Sequence, residues 1–324
     1  VRAHVGVFDQ TSFAKYEVRG KDAAQALEWM CANRVARDVG RLTYTQLLNS
    51  RGGIEADLTV ARVAEDRFYI VTGTGFRTHD FGWIKEHLPS SKDVSIDDIT
   101  ETMSTLSLMG PKARDVLSHA TNTDVSNSAF PFGAVREIEI SGHKLWALRV
   151  TYVGELGWEL HMPMAAVADV YDCLMGLGAE HHIRPVGYRA LESLRLEKGY
   201  RAWGSDITPN DTPFEAGLGW AVKIRSGIPF LGRDALEQVA ASQKKKSLVG
   251  FCVDDETAVL VGRETILRNG EFAGYLTSGG YGYTVGKPLG FGYVRHGEGV
   301  TSDYLLSGKY ELVIANEAKP ARIN

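Results

Sequence analysis

Residues 14–30, AKYEVRGKDAAQALEWM, set the class of fold. Ala14, Tyr16 and Val18 alternate with Lys15 and Glu17, the period of a strand. Gly20 breaks the run, and from Lys21-Asp22 onward Ala23, Ala26, Leu27 and Met30 recur at the spacing of an amphipathic helix. The same strand-to-helix grammar returns along the chain. Thr43 to Asn49 is extended, Ser50-Arg51-Gly52-Gly53 turns it into a hairpin, Leu58 to Val63 and Phe68 to Gly73 continue as strands, and Thr78 to Leu88 reads as a helix. Further steps are expected at Thr105 to Leu117, at Glu137 to Leu160 followed by Ala165 to Gly176, and in Gly187 to Lys198. The predicted class is mixed α/β. Beyond Gln243-Lys244-Lys245-Lys246, short β-rich runs replace the helices: Leu248 to Val253, Glu264 to Arg268, Glu271 to Leu276 and Leu289 to Val294. A separate small β-domain is predicted there, with the lysine run as a solvated linker or helix end.

Composition narrows the function. The 324 residues are 44% hydrophobic and 23% charged, ordinary for a globular chain long enough for two or three packed units. A net charge of -4 gives no footprint for nucleic acid or an anionic membrane, so a small-molecule ligand is expected. Cys31, Cys173 and Cys252 are far apart and odd in number, which gives neither a disulfide framework nor a metal-spaced pair and fits a reducing compartment. No apolar run reaches the ~20 residues of a membrane span. The chain opens on Val1 already in strand-like alternation, so a preceding segment is expected.

Four clusters could carry chemistry. In Thr43 to Val60, Asp57 interrupts an apolar strand start just after a glycine turn; such a carboxylate serves either a site at the hairpin mouth or the turn itself. In Arg149 to Leu160, two glycines present Tyr152, Trp158, Glu155 and Glu159 close together, a set suited to a flat heterocycle carrying N–H donors. In Leu194 to Asp206, Arg195 and Glu197 read as an ion pair within or near a helix. Thr277 to Tyr283 lacks the lysine and the strand-to-helix setting of a phosphate loop and reads as a glycine-rich β-turn. No GxGxxG follows a strand near the start, no HExxH occurs, and His181-His182 are adjacent, so no flavin, nicotinamide or metal site is expected within the chain.

Taken in order, these stretches resemble the aminomethyltransferase family, the T-protein of glycine cleavage, across nearly the whole chain. GVFDQTSFAKYEVRG resembles that family's opening strand, GGIEADLTV its hairpin carboxylate, YVGELGWEL its YTGExGxE segment, and SLRLEKGYRAWGSDI with DTPFEAGL its late helix and following turn. The wording is closer still to the folate domains of sarcosine and dimethylglycine dehydrogenases, which similarly carry RLEK, RAWG and GELGWEL behind an amino-terminal flavin domain. The resemblance implies a three-domain cloverleaf: a first α/β domain from 1–45 with 137–240, a second α/β domain from 46–136, and a β-barrel over 247–324. It implies tetrahydrofolate as cofactor, with FAD only on a separate domain, and a cytoplasmic (bacterial) or mitochondrial matrix location.

By position, Asp57 matches the family's carboxylate near folate N10, and Glu159 the one that clasps the pterin. Tyr44, Val71, Tyr152 and Tyr200 match channel residues, while Phe13 stands where T-proteins often have methionine. One departure concerns Leu191, within Arg189-Ala190-Leu191-Glu192, where T-proteins typically show arginine; the dehydrogenase-type domains also lack it. The expected activity is methylene transfer to tetrahydrofolate from an iminium supplied by a flavin domain of the same polypeptide. The alternatives are a stand-alone T-protein taking an aminomethyl group from a lipoyl carrier protein, another folate-dependent demethylase, and a non-catalytic folate-binding protein.

Overall fold

The computed structural model describes residues 1–323, and the chain divides into two compact units. One holds Val1–Leu47 with Ala56–Tyr188; the other holds Leu48–Glu55 and the chain from Arg189 onward. The first unit begins with β1 (Gly6–Asp9), β2 (Ala14–Arg19) and helix α1 (Ala23–Met30). Next come β3 (Arg41–Leu48), β4 (Ile54–Ala64), β5 (Arg67–Thr72), α2 (Arg77–His87), β6 (Ser95–Asp98), β7 (Met103–Met109) and α3 (Ala113–Ala120). It ends with β8 (Val135–Ile140), β9 (His143–Leu148), β10 (Gly157–Pro163), α4 (Val167–Leu177) and β11 (Arg184–Val186).

These strands form two sheets, one in the order β3-β4-β5-β2-β6 and one in the order β11-β1-β7-β10-β9-β8. The chain leaves the six-stranded sheet after Asp9 and returns at Met103. From Ser104 to Met109 the returning strand is buried on both faces.

Alternation decides the layering. Tyr16 and Val18 of β2, Leu58 and Val60 of β4, and Phe68 and Ile70 of β5 pack on Leu27 and Met30 of α1 and Ile84 of α2. Leu27 and Met30 are fully buried, and truncating either to alanine costs about 2–5 kcal/mol. Asp22 precedes α1 as expected, yet its Oδ2 accepts the Asp93 amide at 2.9 Å instead of capping the helix. On the other sheet, Leu106 and Leu108 of β7 and Trp158, Leu160 and Met162 of β10 pack on Val116 and Leu117 of α3 and Val170 and Leu174 of α4. The two remaining faces meet each other through Ala61, Tyr69 and Val71 on one side and Val135 and Leu148 on the other. The unit is thus four layers, helix–sheet–sheet–helix, with an inner seam toward which every second residue of β2, β4, β5 and β10 points.

The second unit contains α5 (Tyr188–Glu197, from Arg189 on), α6 (Arg233–Ala241), β12 (Lys246–Val253), β13 (Thr265–Arg268), β14 (Glu271–Gly282) and β15 (Lys287–Arg295). It closes with α7 (Ser302–Ser307), β16 (Tyr310–Ile314) and β17 (Glu317–Ile323). The six strands form a closed barrel, β12-β15-β14-β13-β16-β17, filled by Phe251, Val253, Ile266, Leu276, Val294 and Leu312. The mixed α/β class and the carboxy-terminal barrel expected from the sequence are both present.

Three readings are corrected here. Thr277 to Gly282 is the end of strand β14, not a turn. Its glycines admit close neighbours: a Cβ on Gly282 would lie 2.5 Å from Leu289 Cδ1, and one on Gly279 would lie 2.7 Å from the Gly262 nitrogen. Arg195 is held by Glu192 at 2.9 Å and by the buried Asp206 at 2.5 Å, while Glu197 accepts the Thr284 amide at 2.7 Å. Lys246 is not a solvated linker residue, because its Nζ lies 2.5 Å from Asp211 Oδ1 as β12 begins. The hairpin tip is fixed by Asn49, whose Nδ2 donates to Pro209 O at 3.1 Å, and Gly53 has no substitute, since a Cβ there would lie 1.9 Å from that same oxygen.

Candidate functional site in the seam between the sheets

Five of the expected site residues belong to the strands and turns that form the seam. Asp57 stands on β4, whose Ala56, Leu58 and Val60 face the helices, so Asp57 points into the seam. Tyr44 alternates on β3 with Leu42, which packs in the seam, and with Gln46, whose Nε2 donates to Asp57 Oδ1 at 3.0 Å. Val71 on β5 lies between Lys15 of β2 and Thr59 of β4, two residues along from Asp57. Phe13 packs against the same apolar patch, just before β2. Glu159 stands on β10 with its neighbours Trp158 and Leu160 turned to the helices.

Tyr152 is half-buried in the connection between β9 and β10, where Thr151 Oγ1 accepts the amides of Val153 and Gly154 at 3.2 and 3.1 Å. Tyr200 is half-buried in the second unit, its amide donating to Arg195 O at 3.1 Å. The aromatic-and-carboxylate grouping expected around Trp158 dissolves. Trp158 is fully buried in the core against α3 and α4, and Glu155 pairs with Arg2 at 3.0 Å. Adjacent strand residues point to opposite faces, so Trp158 and Glu159 do not share a site.

Sequence reasoning missed the charged and polar groups around Glu159. Lys15 has no exposed surface, and its Nζ donates to the carbonyls of Thr11 and Phe13, both at 2.8 Å. Burial pulls its pKa down to about 8, with Glu159 and Asp9 opposing the fall. His161, two residues after Glu159 and equally buried, places Nε2 3.4 Å from Glu159 Oε2. Burial also holds the His161 pKa below its ordinary value, against the pull of Glu159. The Tyr69 hydroxyl lies 2.9 Å from His161 Nδ1, and burial followed by Glu159 raises its pKa well above normal. The signal was parity: Lys15 and His161 occupy inward positions of strands whose other faces are apolar, a pattern that reads as a solvent face when the second sheet is not known.

Chemically, Glu159 is a carboxylate 14% exposed whose Oε1 makes no hydrogen bond among the described residues. Gln46 Oε1 is a buried acceptor without a partner. The seam therefore offers acceptors for N–H donors at one point and a second carboxylate, Asp57, at another. Among the described residues no cluster of His, Cys, Asp or Glu could hold a metal ion, and no helix is long and apolar enough to cross a membrane.

The GCVT N-terminal domain family matches residues 1–226, and the glycine cleavage T-protein C-terminal barrel domain matches residues 246–324. Mitochondrial sarcosine dehydrogenase of Homo sapiens is 38% identical over 327 residues, covering 96% of this chain but only 36% of its own length. An aminomethyltransferase of Alkaliphilus metalliredigens is 30% identical and covers 91% of this chain and 79% of its own. The crystal structure of the glycine cleavage system aminomethyltransferase T from Bartonella henselae matches with a TM-score of 0.88 at 27% identity, over 100% of this chain and 86% of that one. Relatives are thus both mitochondrial and bacterial, and they mark the chain as of transferase type. Matched in both its amino-terminal part and its barrel, the chain belongs to the glycine cleavage T-protein family and is an aminomethyltransferase-type domain related to part of sarcosine dehydrogenase.

Proposed function

We propose that this chain binds tetrahydrofolate through Glu159 and transfers a one-carbon unit to it with Asp57 as the proton-accepting carboxylate, as the folate module of a flavin-dependent N-demethylating dehydrogenase. The observation that carries the reading is the Glu159 carboxylate, partly exposed at the seam, backed by buried polar groups and with Oε1 open to donors. A pterin ring offers paired N–H donors on one edge, which a carboxylate matches and a neutral side chain matches poorly. The residues present fit the cofactor on that ground.

Bound tetrahydrofolate supplies the nitrogen nucleophiles that capture carbon at the formaldehyde oxidation level. The protein's tasks are to hold, to orient and to accept a proton. Glu159 anchors the ring edge, and Val71 and Phe13 provide apolar surface beside it. Orientation alone contributes several kcal/mol. Asp57, with one oxygen tied to Gln46, stabilises developing positive charge and takes up the proton released on ring closure. The seam keeps water from a reactive one-carbon species.

The flavin domain, the iminium donor and the matrix or cytoplasmic setting are read from dehydrogenase relatives of which this chain spans about a third. A stand-alone T-protein is the second reading, supported by the 79% coverage of an aminomethyltransferase. Against it stands Leu191, 1% exposed, where T-proteins typically show arginine. Release of ammonia on mixing with an aminomethyl-loaded lipoyl carrier protein selects that reading. Calorimetric titration with tetrahydrofolate under anaerobic reducing conditions tests both: micromolar binding is expected, and its absence removes the folate reading altogether.

A further inference from the structure

His161 and Tyr69 form a buried pair behind Glu159 that anchoring alone does not require. His161 and Glu159 are two apart on β10 and face the seam together. Tyr69 comes from the middle of β5 in the opposing sheet and has no exposed surface. Its hydroxyl lies 2.9 Å from His161 Nδ1, and Thr105 Oγ1 of β7 lies 3.0 Å from the same nitrogen. Nε2 faces Glu159 Oε2 at 3.4 Å.

Donor and acceptor roles follow from chemistry. An ionised carboxylate only accepts, so the ring nitrogen facing it carries the proton. Burial keeps the ring neutral, which leaves Nδ1 bare and able to accept from the Tyr69 or Thr105 hydroxyl. Burial also keeps the Tyr69 hydroxyl protonated. The direction of donation is therefore fixed from a hydroxyl, that of Tyr69 or Thr105, to His161 to Glu159. Lys15, from β2, is the other charged group acting on the ring, and its positive charge also disfavours protonation of His161.

We propose that Tyr69 and His161 are a directional relay that presents Glu159 as a fixed, acceptor-only carboxylate, selecting ligands whose recognised edge carries two N–H donors. This rests on the reading of Glu159 as the ligand anchor. By occupying the inner side of Oε2, the Nε2–H restricts rotation of the carboxylate and leaves Oε1 for the incoming edge. A ligand presenting an acceptor there meets no proton and is refused. His161 is in this scheme a positioning residue.

The test combines ring tautomer and binding. In the ligand-free protein, nitrogen-15 NMR of His161 is expected to show the Nε2–H tautomer, unchanged from pH 8 to 5.5. That preference is expected to survive in the Tyr69→Phe, Thr105→Val double variant, because Glu159 still requires the proton on Nε2, and to weaken in Glu159→Gln, whose amide no longer does. Tetrahydrofolate affinity is expected to fall at least tenfold in His161→Phe and to stay within about threefold in His161→Gln, whose amide N–H replaces Nε2–H. An Nδ1–H tautomer, a ring that titrates in that range, or wild-type affinity in His161→Phe overturns the relay. A wild-type protein that does not bind tetrahydrofolate overturns the anchor reading and the ligand selection built on it, while the tautomer still decides whether the relay exists.

Discussion

Gln46 Nε2 donates to Asp57 Oδ1 at 3.0 Å, and Gln46 itself is fully buried while Asp57 is half-exposed. The buried amide in turn fixes one oxygen of the carboxylate that the proposed chemistry needs. Asp57→Asn is expected to keep tetrahydrofolate affinity within about tenfold and to lower single-turnover transfer by about two orders of magnitude or more. Gln46→Ala is expected to lower the same rate by about tenfold with little change in affinity, because it loosens Asp57 without removing it. Unchanged transfer in Asp57→Asn takes that residue out of the mechanism.

Glu159→Gln replaces one acceptor oxygen with a donor at the point where N–H donors are to be received. Affinity for tetrahydrofolate is expected to fall at least tenfold by titration calorimetry, with the transfer rate at saturation within about threefold of wild type. A variant that binds normally but transfers slowly reverses the roles assigned to Glu159 and Asp57.

Lys15 and His161 make stability depend on pH in two separate windows. Both groups are held toward the deprotonated form when folded, so the unfolded chain binds more protons and stability rises with pH across each window. For Lys15 the window runs upward from about 8 to the ordinary 10.5. Urea unfolding is expected to show a gain of about 2 kcal/mol between pH 8 and 10 that Lys15→Met abolishes. Above that, Tyr16 and Tyr69, whose pKa values are raised by burial, act in the opposite sense. For His161 the window lies below 6.5: stability is expected to fall as pH drops through it, and less so in His161→Gln. A flat profile in the wild type contradicts the buried, neutral state of these groups.

Asp206 is fully buried and receives Arg195 at 2.5 Å, the Thr277 and Ser278 hydroxyls at 2.6 Å each, and the Ala202 amide at 3.0 Å. Removing the carboxylate takes from the buried guanidinium its buried partner and leaves only the partly exposed Glu192 as an ion pair, so Asp206→Ala is expected to cost about 3 kcal/mol in chemical unfolding. The double variant Arg195→Met, Asp206→Leu removes both charges and is expected to cost less than Asp206→Ala alone. Equal losses would mean that the hydroxyl contacts of Asp206, not its charge pairing, hold this corner.

The sequence yielded those elements whose partners lie close in the chain. The β2-to-α1 step, the hairpin around Gly53, α2 and four of the six barrel strands stand where periodicity and turn residues placed them. β16 and β17 escaped notice because Tyr310–Ile314 is only five residues long and Glu317–Ile323 buries Ala321 alone and carries Pro320 within the run. The site was legible only as single positions. Asp57 and Glu159 stood out locally and took their roles from resemblance to a family, whereas Lys15, Gln46, Tyr69 and His161 have meaning only when two sheets face each other, which no local pattern announces.

The alternation of β10 has a practical corollary for engineering. Trp158, Leu160 and Met162 answer to the helices behind them, while Glu159 and His161 answer to whatever occupies the seam. A combinatorial library confined to Glu159 and His161 would explore ligand preference without touching the side chains packed on α3 and α4, whereas Gly157, also at an odd position, must stay glycine because a Cβ there would lie 2.2 Å from Met109 Sδ. A single-residue deletion upstream, in contrast, would exchange the two sets and forfeit core and site at one stroke.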